Sequence, residues 1–298
     1  MGSVYGYLGR NGAGKTTTIQ MLMGLLSPTS GEVSVMGMDP FAQDVAMKRV
    51  VSYVPERVGL PEWMTVRELM GFGAGVHPGW DRALAEELRG RLELPAERKV
   101  GQLSRGMQGK AALLMALAPR PKLLILDDPT MGVDVVVRRE FMESIVAALS
   151  DLGVTVFFSS HQLEDVERIA DFVGVLHEGR LVVEAPLEEL QEGVRRVVAV
   201  FPETAPFHLT RRPPGPLSPS PAADLGRGEK GNDRNGNGLL PGALQYRCEG
   251  RQHVWVVRGY STEVLQRLHE AGAVSAEVQR CSLEDIFVAL VRGEEDGA

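Results

Sequence analysis

Gly9-Arg10-Asn11-Gly12-Ala13-Gly14-Lys15-Thr16 fits the pattern Gly-x-x-x-x-Gly-Lys-Thr at every constrained position. It follows a short β-rich run, Val4 to Leu8, and opens an apolar-periodic segment that reads as a helix from about Lys15 to Leu26. Strand, Gly-rich turn and helix in this order make a phosphate loop. Glycines let successive backbone N–H groups turn toward a β-phosphate, and the helix N-terminus adds its partial positive charge. Lys15 then reaches the β- and γ-phosphates, and Thr16 ligates Mg²⁺. The candidate nucleotide contacts are therefore Gly9, Arg10, Asn11, Gly12, Ala13, Gly14, Lys15, Thr16 and Thr17.

Downstream, Leu123 to Leu126 and Val154 to Phe158 are continuous apolar runs of the kind that a parallel sheet covered on both faces buries. Helical stretches separate them, so residues 1–190 read as an α/β domain with a phosphate-loop core. Val66 to Gly75, Arg82 to Leu92 and a segment from about Arg105 through Ala118 have helical periodicity, which places a helical insertion at about 57–118. The strand Leu123-Leu124-Ile125-Leu126 ends in Asp127-Asp128, two acids expected at the carboxyl edge of the sheet beside the loop. Asp127 is placed to hold Mg²⁺ and Asp128 to polarise an attacking water.

After Leu190 the texture changes. Residues 211–241 are packed with Pro, Gly, Asn and charge, and read as a disordered linker. Arg195 to Phe201 and Val254 to Val257 read as strands, and Thr262 to Ala271 and Leu283 to Val291 as helices. Residues 191–298 are thus expected to form a small α+β extension.

Composition narrows the class further. A net charge of −7 argues against a broad nucleic-acid surface. No window approaches the ~20 consecutive apolar residues of a spanning helix, and no basic-then-apolar leader opens the chain, so membrane contact is expected only through a partner. Cys248 and Cys281 form neither a metal pair nor a redox motif and are expected to be reduced thiols in a cytosolic protein.

Leu103-Ser104-Arg105-Gly106-Met107, just ahead of the Asp127 strand, resembles the Leu-Ser-Gly-Gly-Gln signature loop of the ATP-binding subunits of ABC transporters. Kinases and GTPases with a phosphate loop lack it. The resemblance covers about residues 1–190 and implies that Ser104 and Gly106 form an anion site at a helix N-terminus. In this family that site closes on the ATP held by a second subunit. The other family elements follow in order. Gly132-Val133-Asp134 resembles the loop that crosses the dimer interface. His161, after Phe158-Ser159-Ser160, resembles the switch histidine that contacts the γ-phosphate, and Tyr53-Val54-Pro55-Glu56 takes the place of the Gln loop. The resemblance implies catalytic roles for Asp128, His161 and Glu56, nucleotide contact by Asp134, and ATP and Mg²⁺ as cofactors. It also implies a head-to-tail pair of ATP-binding subunits and a separate transmembrane permease, whose helix meets a groove near Glu56 to Thr65. The chain would sit at the cytoplasmic face of the membrane. The ending Cys281-Ser282-Leu283-Glu284-Asp285-Ile286-Phe287 resembles the close of C-terminal extensions in bacterial drug- and lipid-exporter-like systems, which points to export.

Three departures from the family pattern have consequences. Asp128 stands where the family has Glu, about 1.5 Å shorter in reach, and a misplacement of that size costs on the order of 100-fold in rate. Ahead of the loop the family carries an antiparallel subdomain and an aromatic residue that stacks on adenine. These are expected to be missing, with Tyr5 and Tyr7 packing inward and a sheet edge left open. The interface loop reads Val133-Asp134-Val135 in place of Leu-Asp-Pro. Two other classes compete with transport. A nucleic-acid or ribosome ATPase of this superfamily would show two phosphate loops or a long coiled-coil insertion, neither of which is here. A regulatory ATP-binding module with little turnover is favoured by Asp128.

Overall fold

The computed structural model describes residues 2–130, 132–202 and 239–295, which divide into two compact units, Met1–Ala185 and Pro186–Ala298. In the first unit, strands β1 (Val4–Gly9), β2 (Val51–Val54), β3 (Leu123–Asp127), β4 (Thr155–Ser160), β5 (Phe172–His177) and β6 (Arg180–Pro186) form a sheet of order β2-β3-β4-β1-β5-β6. The pairs from β2 through β5 are parallel, with β1 between β4 and β5. Glu178 and Gly179, both at positive φ (45° and 77°), make the two-residue turn that folds β6 back along β5.

Parallel pairing decides where the chemistry goes. Leu8 lies opposite Ser160, Asp127 opposite Ser159, and Val54 opposite Leu126. Segments 9–15, 55–56, 127–128 and 161 therefore all leave the sheet at one edge, the carboxyl ends of its strands.

The two faces of β1 obey strand alternation. Tyr5 and Tyr7 share one face, where Tyr5 stacks on Phe157 at 5.4 Å and Tyr7 sits 5.2 Å from the same ring. Tyr7 also donates to Thr18 of helix α1 (Lys15–Leu22), at 3.3 Å. The inward packing expected of both tyrosines is what is found. On the other face, a Cβ at Gly6 would meet Val166 Cγ1 at 2.2 Å on helix α7 (Leu163–Ile169), so only hydrogen fits there.

Helix α1 is shorter than its periodicity predicts. It stops at Leu22 because Gly24 takes a left-handed φ of 67°, and Leu25 N and Gly24 N turn back to Gln20 O and Met21 O, a Schellman closure. Leu25 and Leu26 are left exposed. Helix α2 (Asp44–Lys48), not expected from the sequence, contributes Met47 to the core formed by Ile19, Met23, Val35, Val51 and Ile125.

The stretch expected as a helical insertion, about 57–118, carries α3 (Val66–Val76), α4 (Arg82–Arg91) and α5 (Arg105–Leu117). A reciprocal cap between Thr65 and Glu68 starts α3, and Asp81 Oδ1 accepts from Leu84 N to start α4. Asp134 Oδ1 accepts from Val136 N and Val137 N at the start of helix α6 (Val135–Leu152).

The second unit is built on an antiparallel sheet of order β10-β7-β9-β8, with β7 (Val194–Val200), β8 (Ala243–Glu249), β9 (Gln252–Arg258) and β10 (Ser275–Arg280). Helices α8 (Leu187–Gly193), α9 (Glu263–Glu270) and α10 (Leu283–Glu295) complete it. Its core gathers Val197, Ala199, Phe201, Trp255, Val257 and Leu268. The run expected as a linker, 211–241, lies outside the described residues except for 239–241.

Because Val166 occupies the space a side chain at position 6 needs, Gly6→Ala is expected to lower unfolding free energy by about 1–3 kcal/mol. Urea denaturation measures it, and unchanged stability would mean that α7 is free to shift off β1.

Candidate functional site

The segment after β1 turns tightly, with Ala13 N donating to Arg10 O at 3.1 Å. Gly12 (φ 85°) and Gly14 (φ 110°) hold left-handed conformations that side chains resist. Gly14 is also the N-cap of α1 and offers no side chain to its first-turn amides. Those N–H groups remain available to an outside anion.

Lys15 is buried, and its Nζ donates to Gly9 O (2.7 Å) and Arg10 O (3.2 Å). Burial pushes its ammonium below the ordinary lysine range, opposed by the carboxylates of Asp128, Asp127 and Glu56. Thr16 and Thr17 are exposed on the first turn, whereas Thr18 turns inward to donate to Gly14 O at 3.1 Å.

A cleft of about 250 Å³ opens here, lined by Asn11, Gly12, Gly14, Lys15, Thr16, Thr17, Glu56, Asp127 and Asp128. Beneath it, the Tyr53 hydroxyl is pushed up to about 12 by burial and by the negative charge of Asp127 and Glu56. Gly9, Arg10 and Ala13 shape the turn but do not line the cleft.

Both acids are deeply set. Asp127 is 1% and Asp128 5% exposed. Ser159 Oγ donates to Asp127 Oδ1 at 2.8 Å, and Asp127 Oδ2 has no hydrogen-bond partner. The Asp128 backbone turns to φ 43°, and its N–H donates to Ser159 Oγ (3.0 Å) and Ser159 O (3.1 Å). Asp128 Oδ2 bonds His161 Nδ1, while Oδ1 is buried without a partner. Since a carboxylate accepts, the ring proton stands on Nδ1, which leaves the Nε2 edge of His161 for another group. Behind this pair, Thr130 donates to the buried Asp165 at 3.4 Å, and Arg138 lies 3.4 Å from the same carboxylate. Burial raises Asp165 above the usual carboxylate range despite that arginine.

A divalent ion fits this donor set. An orphaned carboxylate oxygen on Asp127 and the exposed hydroxyl of Thr16 are hard oxygen donors on one cleft, the type Mg²⁺ prefers.

Other expected site residues stand apart from the cleft. Ser104 Oγ accepts from Met107 N at 3.3 Å and is the N-cap of α5. Gly106 is buried where a Cβ would meet Val137 Cγ1 at 2.1 Å, so it is also the point of close approach between α5 and α6. Neither residue, nor Asp134, lines the cleft. A second cleft, of about 380 Å³, lies between Glu56-Arg57-Val58 and Arg105, Gln108, Gly109, Pro129 and Val133. Sequence reasoning passed over Ser159 and Thr130. The available signal was register, since Ser159 stands opposite Asp127 on the neighbouring strand.

Residues 1–131 match the family model described as ABC transporter. The chain is 34% identical over 216 residues to an uncharacterized ABC transporter ATP-binding protein of Alkalihalophilus pseudofirmus, covering 70% of this chain and 78% of that one. It is 38% identical over 200 residues to the bacitracin transport ATP-binding protein BcrA of Bacillus licheniformis, covering 65% of this chain and spanning 64% of that relative's length. Among solved structures, CbiO1 of Clostridium perfringens, part of the ABC transporter complex CbiONQ, matches with a TM-score of 0.57 at 26% identity, over 63% of this chain and 78% of that one. The family match falls on residues 1–131, which carry the phosphate loop, the paired acids and the capped helix after Ser104, and together with these relatives it shows that the chain belongs to the ATP-binding proteins of ABC transporters.

Proposed function

We propose that this chain binds and hydrolyses ATP to drive a membrane transporter, closing on ATP with a second ATP-binding subunit and passing the motion to a separate permease at the cytoplasmic face of the membrane. The observation that carries this reading is the single cleft where Lys15, Thr16, Asp127, Asp128 and Glu56 meet. The amides and Lys15 receive the phosphates. Thr16 and Asp127 would hold Mg²⁺, which when bound neutralises phosphate charge and aligns the phosphates for in-line attack. Asp128 accepts the proton of the attacking water, held in orientation by His161, and Glu56 borders the same space.

Ser104 and Gly106 lie outside this cleft, which supports a site completed in trans: one subunit supplies the phosphate loop and the other the helix start after Ser104. Among the described residues no helix is long and apolar enough to cross a membrane, in keeping with a separate permease. The tail 281–287 favours export.

Turnover is slow in this reading because Asp128 is short. Its backbone conformation offers a reason for the choice: left-handed φ is several-fold enriched for Asp and Asn, and a longer side chain there costs on the order of 1 kcal/mol.

Mg²⁺-dependent ATP hydrolysis is expected to rise more than linearly with protein concentration and to vanish in Lys15→Ala. Activity that scales linearly, or that survives in Lys15→Ala, rejects the dimeric motor. Asp128→Glu is expected to raise kcat by about 10- to 100-fold while lowering stability by about 1 kcal/mol. Unchanged or lower turnover in the folded variant would mean that side-chain length does not limit the reaction.

A further inference from the structure

Ser159 is wholly buried at the end of β4, in register with Asp127. Its hydroxyl has one proton and accepts through its lone pairs. The Asp128 amide can only donate, so at 3.0 Å it must take a lone pair of Ser159 Oγ. The proton of Ser159 is then directed to Asp127 Oδ1, 2.8 Å away. No rotation of the hydroxyl satisfies both neighbours in any other way. One oxygen of Asp127 is thereby fixed by the protein, and the other, Oδ2, is left buried and unpartnered in a residue that lines the phosphate cleft. An orphaned carboxylate oxygen is costly unless a cation or donor arrives.

We propose that Ser159 is a positioning residue for both acids at once, locking Asp127 so that Oδ2 is the oxygen offered to Mg²⁺ and holding the Asp128 amide at the left-handed turn from which its carboxylate reaches His161. The inference rests on the ATP-binding reading above and deepens it. Ser159 is not among the residues that line the cleft. It acts through two buried hydrogen bonds, and residues in that relation to a metal ligand typically carry 10- to 100-fold in metal affinity. The neighbouring Ser160 has a different task, accepting from Gln162 N at 2.9 Å at the entry to α7.

The test is equilibrium binding of ATP by calorimetry, in EDTA and in increasing Mg²⁺, for the full chain and for Ser159→Ala, Ser159→Cys and Ser159→Thr, with thermal unfolding recorded for each. Ser159→Ala removes the hydroxyl. Ser159→Cys keeps the volume but replaces a strong donor by a weak one, and serves should the alanine variant fail to fold. Ser159→Thr keeps the hydroxyl. The expected result is unchanged ATP affinity in EDTA for all chains and about 10-fold or more weaker Mg²⁺ dependence in the Ala and Cys variants, with Thr restoring it. Equal Mg²⁺ dependence in a folded Ala or Cys variant overturns the positioning role and leaves the ATP-binding reading intact. Failure of the unaltered chain to bind ATP with or without Mg²⁺ overturns that reading itself, and this inference with it.

Discussion

The cost of burying one ammonium group organises the phosphate-loop unit. An ion of this size loses several kcal/mol of hydration when it leaves water, and Lys15 recovers part of this from two backbone carbonyls and the carboxylates of Asp128, Asp127 and Glu56. Such a set can be assembled only where several chain segments end together. Parallel strands provide the place, because β1, β2, β3 and β4 all finish at the same edge. The balance of the cleft is then three acids against one buried base. A polyphosphate entering it would add negative charge to that balance, a load that a bound cation would offset.

Much of this could be read from residue order. The Gly-x-x-x-x-Gly-Lys-Thr stretch and the apolar run ending in Asp127-Asp128 each carry a local physical signature. The rest is set by long-range packing. Strand β5 is interrupted by Gly174, which breaks its apolar pattern; a Cβ there would meet Tyr5 Oη at 2.3 Å, so the glycine answers to a tyrosine on another strand. Strands β8 and β10 are edge strands, and their many polar, partly exposed residues hide the alternation that marks a half-buried strand. Helix α1 ends short of the apolar periodicity because the Schellman turn at Gly24 outweighs the apolar Leu25 and Leu26.

The site shows the same division. Which residues line the cleft follows from motif and strand order, but how the acids are held does not. Ser159 and His161 look alike in a linear reading, two polar residues at the end of one strand. In space one fixes Asp127 while the other engages Asp128. Gly106 likewise stands in a stretch that resembles a signature loop and also at a helix crossing, since Val137 fills the space above it. Residues serving two demands tolerate few replacements, and each demand alone accounts for only part of that intolerance.

The central place of β1 in its sheet also bears on how the protein is made. Its partners β4 and β5 lie far away in the chain, with Val4 opposite Val156 and Tyr5 opposite Phe172, the kind of non-local pairing that slows folding because a long loop must close before any contact rewards it. On a ribosome, β1 and the loop it carries would wait, with both edges of the strand unpaired, until residues near Leu176 had emerged. The phosphate cleft is thus among the last features of its unit to take shape, and nascent chains in that interval are the ones a chaperone would be expected to hold.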